Sequence, residues 1–387
     1  MMQTRETPLQ QVSPLSQENE LERPGLLPLP SNASKRLLLV DGHYYLYRSF
    51  FAIRGLRNSR GEPTNAIYGF IKALRRMLAE VRPDYAAVIW DAGLPERRTQ
   101  LQPQYKQQRE AMPDDLDLQQ EPIRKLLPLL GVASVFLPNT EADDLIASYV
   151  LEAGKGGIEC VVATNDKDIL QLVREGVSIY STAKADLGEG AGKGGFKLLG
   201  VAEVREKWGV EPEQIADILA LTGDAADNIQ GLSGVGGKTA AKWINHYGSL
   251  ECLLAEGARD PKVHDKLKGS LQLVKDNRQM VALDLDLPLP LPISAMTITP
   301  RYPEFIQALR DCEFRSLTTE VERELFQRLE GGDRRSEGEE GMVDTFLWKK
   351  NSEEHLSADS GCAATAGQPI KNQEFAIPLS PQQGELF

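Results

Sequence analysis

Cysteine and histidine are scarce in this chain, at four residues each among 387. Cys160, Cys252, Cys312 and Cys362 stand far apart, in no Cys-x-x-Cys or Cys/His spacing, which excludes a zinc ribbon and gives no disulfide framework. A reducing compartment, the cytoplasm, is therefore expected. No apolar run is long enough to cross a bilayer. The first 34 residues carry prolines and Glu6, Glu18, Glu20 and Glu22 where a signal peptide would have its apolar core, so residues 1–34 read as a disordered extension. Beyond about Gly331 the chain is again polar and aperiodic, and residues 321–387 are expected to form a mostly disordered acidic tail. Positive charge is also in short supply, with a net charge of −12. Its distribution matters more than its sum. Arg48, Arg54, Arg57, Arg60, Lys72, Arg75 and Arg76 face a single acid in that stretch, Glu62, so an acidic average can hide a basic face.

What is present is a series of short apolar runs. Arg36–Val40 ends at Asp41, Ala86–Trp90 at Asp91, and Cys160–Ala163 runs into Thr164-Asn165-Asp166; Val177–Tyr180 follows. Separated by helical patterns, such runs predict buried parallel strands of an α/β domain over residues 35–200. Between Thr64 and Ala79 the helical period places Ile67, Phe70, Ile71, Leu74 and Leu78 on one face, with Thr64 as N-cap. From Val201 the texture becomes helical (Val201–Trp208, Pro212–Leu221, Lys238–His246, Ser249–Glu256), predicting a small all-helical domain over residues 201–320.

Ligands of an open α/β sheet bind beyond the carboxyl ends of the strands, so Asp41, Asp91 and Asp166 should converge, with Asp168 in reach. One Asp after a strand is commonly a turn former or cap; three make that account weaker. Thr140-Glu141-Ala142-Asp143-Asp144 opens a helix, where Thr140 and Asp143 fit a capping box. A box needs one acid, however, and three are present. Asp224 and Asp227 repeat an i, i+3 spacing at another helix end. So many carboxylates repel one another unless cations neutralise them. A set with no His or Cys favours Mg²⁺ or Mn²⁺ over zinc, and two such ions suit hydrolysis of a phosphodiester.

The run Gly234-Val235-Gly236-Gly237-Lys238-Thr239 approaches a nucleotide-binding P-loop, but that pattern needs Gly at position 232, where Leu stands. A helix–loop–helix that lets backbone N–H groups and Lys238 and Lys242 approach duplex phosphates, without reading bases, fits better.

The strings LLLVDGHYYLYRSFFA, SRGEPTNAIYGF, WDA, EADD, TNDKD and LTGDAADNIQGLSGVGGKTA, in this order from Leu37 to Ala240, resemble the 5′-nuclease of bacterial DNA polymerase I and its flap-endonuclease relatives. The resemblance implies a PIN-like nuclease domain followed by a helix-hairpin-helix-type domain. It implies metal ligands at Asp41, Asp91, Glu141, Asp143, Asp144, Asp166, Asp168, Asp224 and Asp227. Of these, Asp41, Asp91, Glu141 and Asp143 would surround one ion, with Asp166, Asp168 and Asp227 toward a second. It further implies a helical arch from Arg97 to Arg109, with Lys106, Arg109 and Arg48 at the scissile phosphate. Arg98 and Tyr105 are expected on DNA, although an apolar or aromatic residue is commoner where Arg97 stands. Tyr47 reads as core packing. Expected partners are DNA with a 5′ flap, nick or single-stranded 5′ end, and a sliding clamp reached through Gln383, Leu386 and Phe387. No stretch after Leu317 is long enough for a polymerase domain, so a monomeric, free-standing nuclease is expected. The alternatives are a non-catalytic binder of DNA structure and a PIN-type ribonuclease.

Overall fold

The computed structural model describes residues 35–183, 186 and 195–330. The extension at residues 1–34 and the motif ending at Gln383, Leu386 and Phe387 lie outside the described residues. The first domain is built on β1 (Arg36–Asp41), β2 (Tyr85–Trp90), β3 (Ala133–Phe136), β4 (Glu159–Ala163), β5 (Val177–Ser181) and β6 (Lys197–Leu199). Their order across the sheet is β3-β2-β1-β4-β5-β6. The first five run parallel, whereas β6 pairs antiparallel with β5, so the expected all-parallel sheet is mixed at one edge. Strand residues alternate between the faces, and in β1 and β2 both faces are buried. Leu38, Val40, Val88 and Trp90 point to one side, Leu37, Leu39, Ala87 and Ile89 to the other.

The first side is covered by α1 (Gly42–Ala52), α2 (Asn65–Val81) and α4 (Asp114–Leu126). Along α2 the expected stripe is buried, except that Met77 and Val81 take the place given to Leu78, which is half-buried. Each fully buried side chain of this size contributes roughly 1.5–3 kcal/mol. Thr64 occupies the N-cap position, yet its hydroxyl makes no capping bond. The buried Gln119 of α4 does that work: its Oε1 accepts from Ala66 N at 2.7 Å and Ile67 N at 3.2 Å. The basic stretch is largely neutralised, because Arg57 pairs with Asp115, Arg60 with Glu62, Arg75 with Glu320 and Glu324, and Arg76 with Glu80.

The second side is covered by α5 (Ala142–Lys155) and by the helical region. That region comprises α6 (Val201–Trp208), α7 (Ile215–Thr222), α8 (Gly237–Tyr247), α9 (Leu250–Glu256), α10 (Pro261–Leu267) and α11 (Leu271–Val281). Leu219, Ile244, Leu253 and Val274 lie in one apolar cluster with Leu37 and Ile89. After α11 the chain runs along α5, where Ser148 Oγ donates to Asp284 O at 3.1 Å and Tyr149 Oη to Leu291 O at 2.8 Å. It then returns to the first side as α12 (Tyr302–Asp311) and α13 (Arg315–Glu330). The boundary expected at residue 320 thus falls inside α13, whose Leu317 and Val321 are fully buried beside Leu38. The last two helices belong to the α/β domain's core. None of the described helices is long and apolar enough to cross a membrane.

Candidate metal and nucleic-acid site

The strand order reverses direction at β1, and the crevice between β1 and β4 lies at that switch point. Asp41 ends β1 and caps α1: one oxygen accepts from Tyr44 N at 2.9 Å, the other from Thr164 Oγ1 at 2.9 Å. Asp91, just past β2, accepts from Ala142 N at 2.9 Å and lies 2.9 Å from His43 Nδ1. Asp166 follows β4 and accepts from Asp168 N at 2.9 Å, closing a tight turn.

These carboxylates are thermodynamically strained. Burial, helped by the charge of Asp91, pushes the Asp41 carboxyl up to about 7 against the bonds from Tyr44 and Thr164. Burial first, then Asp166, Asp41 and Asp91, raises Asp143 well above the ordinary carboxylate value. Asp166 is raised by burial, with Asp227 and Asp224 adding to it. Asp168 is raised far by burial and then by Asp166, Asp224 and Asp227. Asp91 differs: burial would raise it, but the hydrogen bond and charge of His43 hold it down at about 2. His43 carried no pattern of its own in the sequence.

Asp168, Asp224 and Asp227 present oxygens that all lie within 4.8 Å of one another. Asp168 Oδ1 is buried and has no hydrogen-bond partner. A carboxyl oxygen without a donor, inside a group of carboxylates, is the arrangement a hard divalent cation satisfies. The residues therefore fit such an ion, and their all-oxygen character fits Mg²⁺ or Mn²⁺ better than a soft metal.

Four expectations change here. Asp144 is fully buried, and both its oxygens accept from Arg98, at 2.6 and 2.8 Å, while Oδ1 also accepts from Asp284 N at 2.9 Å. It turns away from Asp143, because consecutive helical residues diverge by about 100°, and toward the guanidinium it shares with Glu141. Arg98, 3% exposed, is bound to Glu141 as well, so it is not offered to DNA. Tyr105 is 4% exposed and sends its hydroxyl to Glu141 and Asp227 at 3.2 Å, so its ring is not open to a base. The expected helical arch is one short helix, α3 (Glu96–Leu101), followed by turns fastened onto the body. Arg97 reaches the carbonyls of Gln279 and Ala282 there.

Lys106 and Arg109 lie over the acids. Lys106 Nζ contacts Glu141 and is 3.7 Å from Asp227, and its backbone holds a left-handed φ of 56°. Arg109 binds Asp227 at 2.6 Å, and Lys167 binds Asp224 at 3.0 Å. Arg48 donates to Tyr44 Oη at 3.1 Å. Tyr47 is half-buried and stacks on the exposed ring of Phe51, so core packing accounts for only part of it. In the glycine loop, Gly234 has φ +70° and Lys266 Nζ donates to Ser233 O at 3.0 Å. Gly236 precedes α8 without a side-chain cap, Gly237 is its first residue, and Lys238 and Lys242 are exposed on it. Gly223, in the short β7 (Gly223–Asp224) paired with β8 (Ile229–Gln230), has φ +70° and no room for a Cβ beside Gly231.

Family models match almost the whole described chain: the N-terminal resolvase-like domain of 5′-3′ exonuclease over residues 36–209, and its C-terminal SAM fold over residues 210–304. The 5′-3′ exonuclease of Aquifex aeolicus is 39% identical over 220 residues, covering 57% of this chain and 72% of that protein. The thermostable DNA polymerase I of Thermus aquaticus is 39% identical over 252 residues, 65% of this chain. This chain spans only 29% of that polymerase's length. Among solved structures, the T5 5′-exonuclease with zinc ions bound superposes with a TM-score of 0.52 at 19% identity, covering 75% of this chain and 99% of that one. A bacteriophage T5 flap endonuclease in a pseudo-enzyme-product complex with DNA and metal ions gives 0.51 at 20% identity, covering 75% and 98%. The shared motifs and both matched domains lead to one conclusion: this chain belongs to the 5′-3′ exonuclease family.

Proposed function

We propose that the chain is a divalent-metal-dependent 5′-3′ exonuclease and flap endonuclease that hydrolyses phosphodiester bonds of DNA, and of RNA primers, in replication and repair. The observation that carries this reading is the convergence of buried and half-buried carboxylates at the switch point, with Asp168 Oδ1 left without a donor. Asp41, Asp91, Glu141 and Asp143 would hold one cation, and Asp166, Asp168, Asp224 and Asp227 a second, with Mg²⁺ or Mn²⁺ as the ion. Bound there, a divalent cation supplies a water of lowered pKa and positive charge for the phosphoryl oxygens. The chain's own residues do the rest. Lys106 and Arg109 stand over the acids and offer N–H donors to a phosphate, neutralising charge that grows on its oxygens during displacement. Arg48, on the helix that Asp41 caps, adds charge on the approach. Lys238, Lys242 and the uncapped start of α8 grip duplex phosphate without reading sequence. The substrate that the family membership and the likeness to a flap endonuclease with DNA support is DNA with a 5′ flap, nick or single-stranded 5′ end.

The test is cleavage of a 5′-labelled flap duplex with Mg²⁺, with and without EDTA, by the wild type and the Asp41→Ala and Asp166→Ala variants. Expected is Mg²⁺-dependent product near the branch, lost by about a thousandfold or more in both variants while duplex binding persists. Tight binding without product in the wild type would reduce the protein to a binder of DNA structure.

A further inference from the structure

Among the described residues, Arg98 is the buried cation with the most complete set of hydrogen bonds. Its Nε donates to Met280 O at 2.9 Å, and one terminal nitrogen donates to Glu141 and to Asp144 Oδ2 at 2.6 Å. The other donates to Asp144 Oδ1 at 2.8 Å and to Ala282 O at 3.0 Å. Five N–H groups thus meet five acceptors, in the planar fork that only a guanidinium provides. Two of those acceptors are carbonyls at the end of α11 and just beyond it, and Asp144 is itself held by Asp284 N at 2.9 Å. Glu141 therefore has one oxygen locked to a fixed cation, leaving its other oxygen with Lys106 and Tyr105 on the side of Asp227.

From this geometry we infer that Arg98 and Asp144 are positioning residues: Asp144 is not an ion ligand but orients Arg98, which aims Glu141 at the ion site. The inference rests on the proposed ion-dependent function. Without the fork the buried Glu141 carboxylate would be free to rotate, so loss of the fork degrades ion binding without removing a ligand. Supporting groups of this kind typically change ion affinity by about 10–100-fold.

Arg98→Lys keeps the charge and removes the fork, and Asp144→Asn removes the charge that holds it. Mn²⁺ binding is measured by titration calorimetry on the full chain without DNA, for the wild type, R98K, D144N, E141Q and the pairs R98K/E141Q and D144N/E141Q. Melting curves in EDTA accompany each. R98K and D144N are each expected to weaken Mn²⁺ binding by about tenfold, and neither to weaken it further once Glu141 is Gln. Wild-type affinity in R98K and D144N would overturn the inference. So would an equal loss from D144N in the E141Q background, which would make Asp144 a direct ligand. If R98K melts below the working temperature, the D144N and D144N/E141Q pair alone decides by the same two criteria. A wild type that neither binds Mn²⁺ nor cuts DNA would instead refute the ion site itself.

Discussion

Replacing Asp41 by Asn should stabilise the ion-free protein. A buried carboxyl moved from 3.8 to about 7 disfavours the ionised folded state by about 4 kcal/mol. The sign follows from linkage: because the folded value is raised, stability is lost as pH climbs from 3.8 through about 7, and the full penalty stands above that. Asn removes the charge and keeps an acceptor for Tyr44 N, but its amide group faces Thr164 Oγ1, where a hydrogen bond must be rearranged at about 1 kcal/mol. The net gain is about 2–3 kcal/mol at pH 8, which for a protein of this size raises Tm by about 5 °C. Differential scanning calorimetry in EDTA reads it directly. At pH 5 the folded wild-type carboxyl is already protonated, and the gap should shrink to less than half. With saturating Mn²⁺ the order should reverse, because only the wild type has the anion to offer. A D41N protein that melts no higher than the wild type in EDTA at pH 8 would refute the reasoning. So would a gap of equal size at pH 5.

Two further variants test the capping of α2 and, under the proposed function, the grip of α8 on duplex. Gln119→Ala leaves the N–H groups of Ala66 and Ile67 buried without an acceptor and should cost about 2–3 kcal/mol, read as a lower urea midpoint at unchanged slope; a change below about 0.5 kcal/mol would mean that α2 finds another cap. Lys238→Ala with Lys242→Ala should weaken binding to nicked duplex by on the order of tenfold and lower the slope of log K against log salt by about 1–2. An unchanged slope would remove α8 from the duplex interface.

The strand-end aspartates could be read from the sequence because β1, β2 and β4 are buried on both faces and so appear as unbroken apolar runs with a polar stop. β3 could not: in Ala133–Phe136 only Val135 is buried and Phe136 is 51% exposed, so the edge strand carries no such run. β6 is three residues long, too short for a period. The true cap of α2 escaped because its acceptor comes from residue 119, beyond any local pattern that centres on Thr64. The same holds for Arg98. Beside Arg97 it looks like part of a solvated basic loop, and its fate depends on carboxylates more than forty residues away. Local rules assign Glu141, Asp143 and Asp144 to one helix start; only the packing of α3 against α5 and α11 turns Asp144 to Arg98 and leaves Asp143 among the strand-end acids.

The apolar cluster that joins Leu37 and Ile89 to Leu219, Ile244 and Val274 has a mechanical meaning. The border between the two matched domains, at residues 209 and 210, crosses one continuous interior rather than a hinge. The halves should therefore melt in a single transition, and neither should fold when expressed alone. Under the proposed function, the phosphate grip of α8 and the acids beyond β1 and β4 are parts of one rigid frame. Where a strand is cut, counted from the end of the duplex, is then set like the gap of a caliper, by side chains far from either jaw.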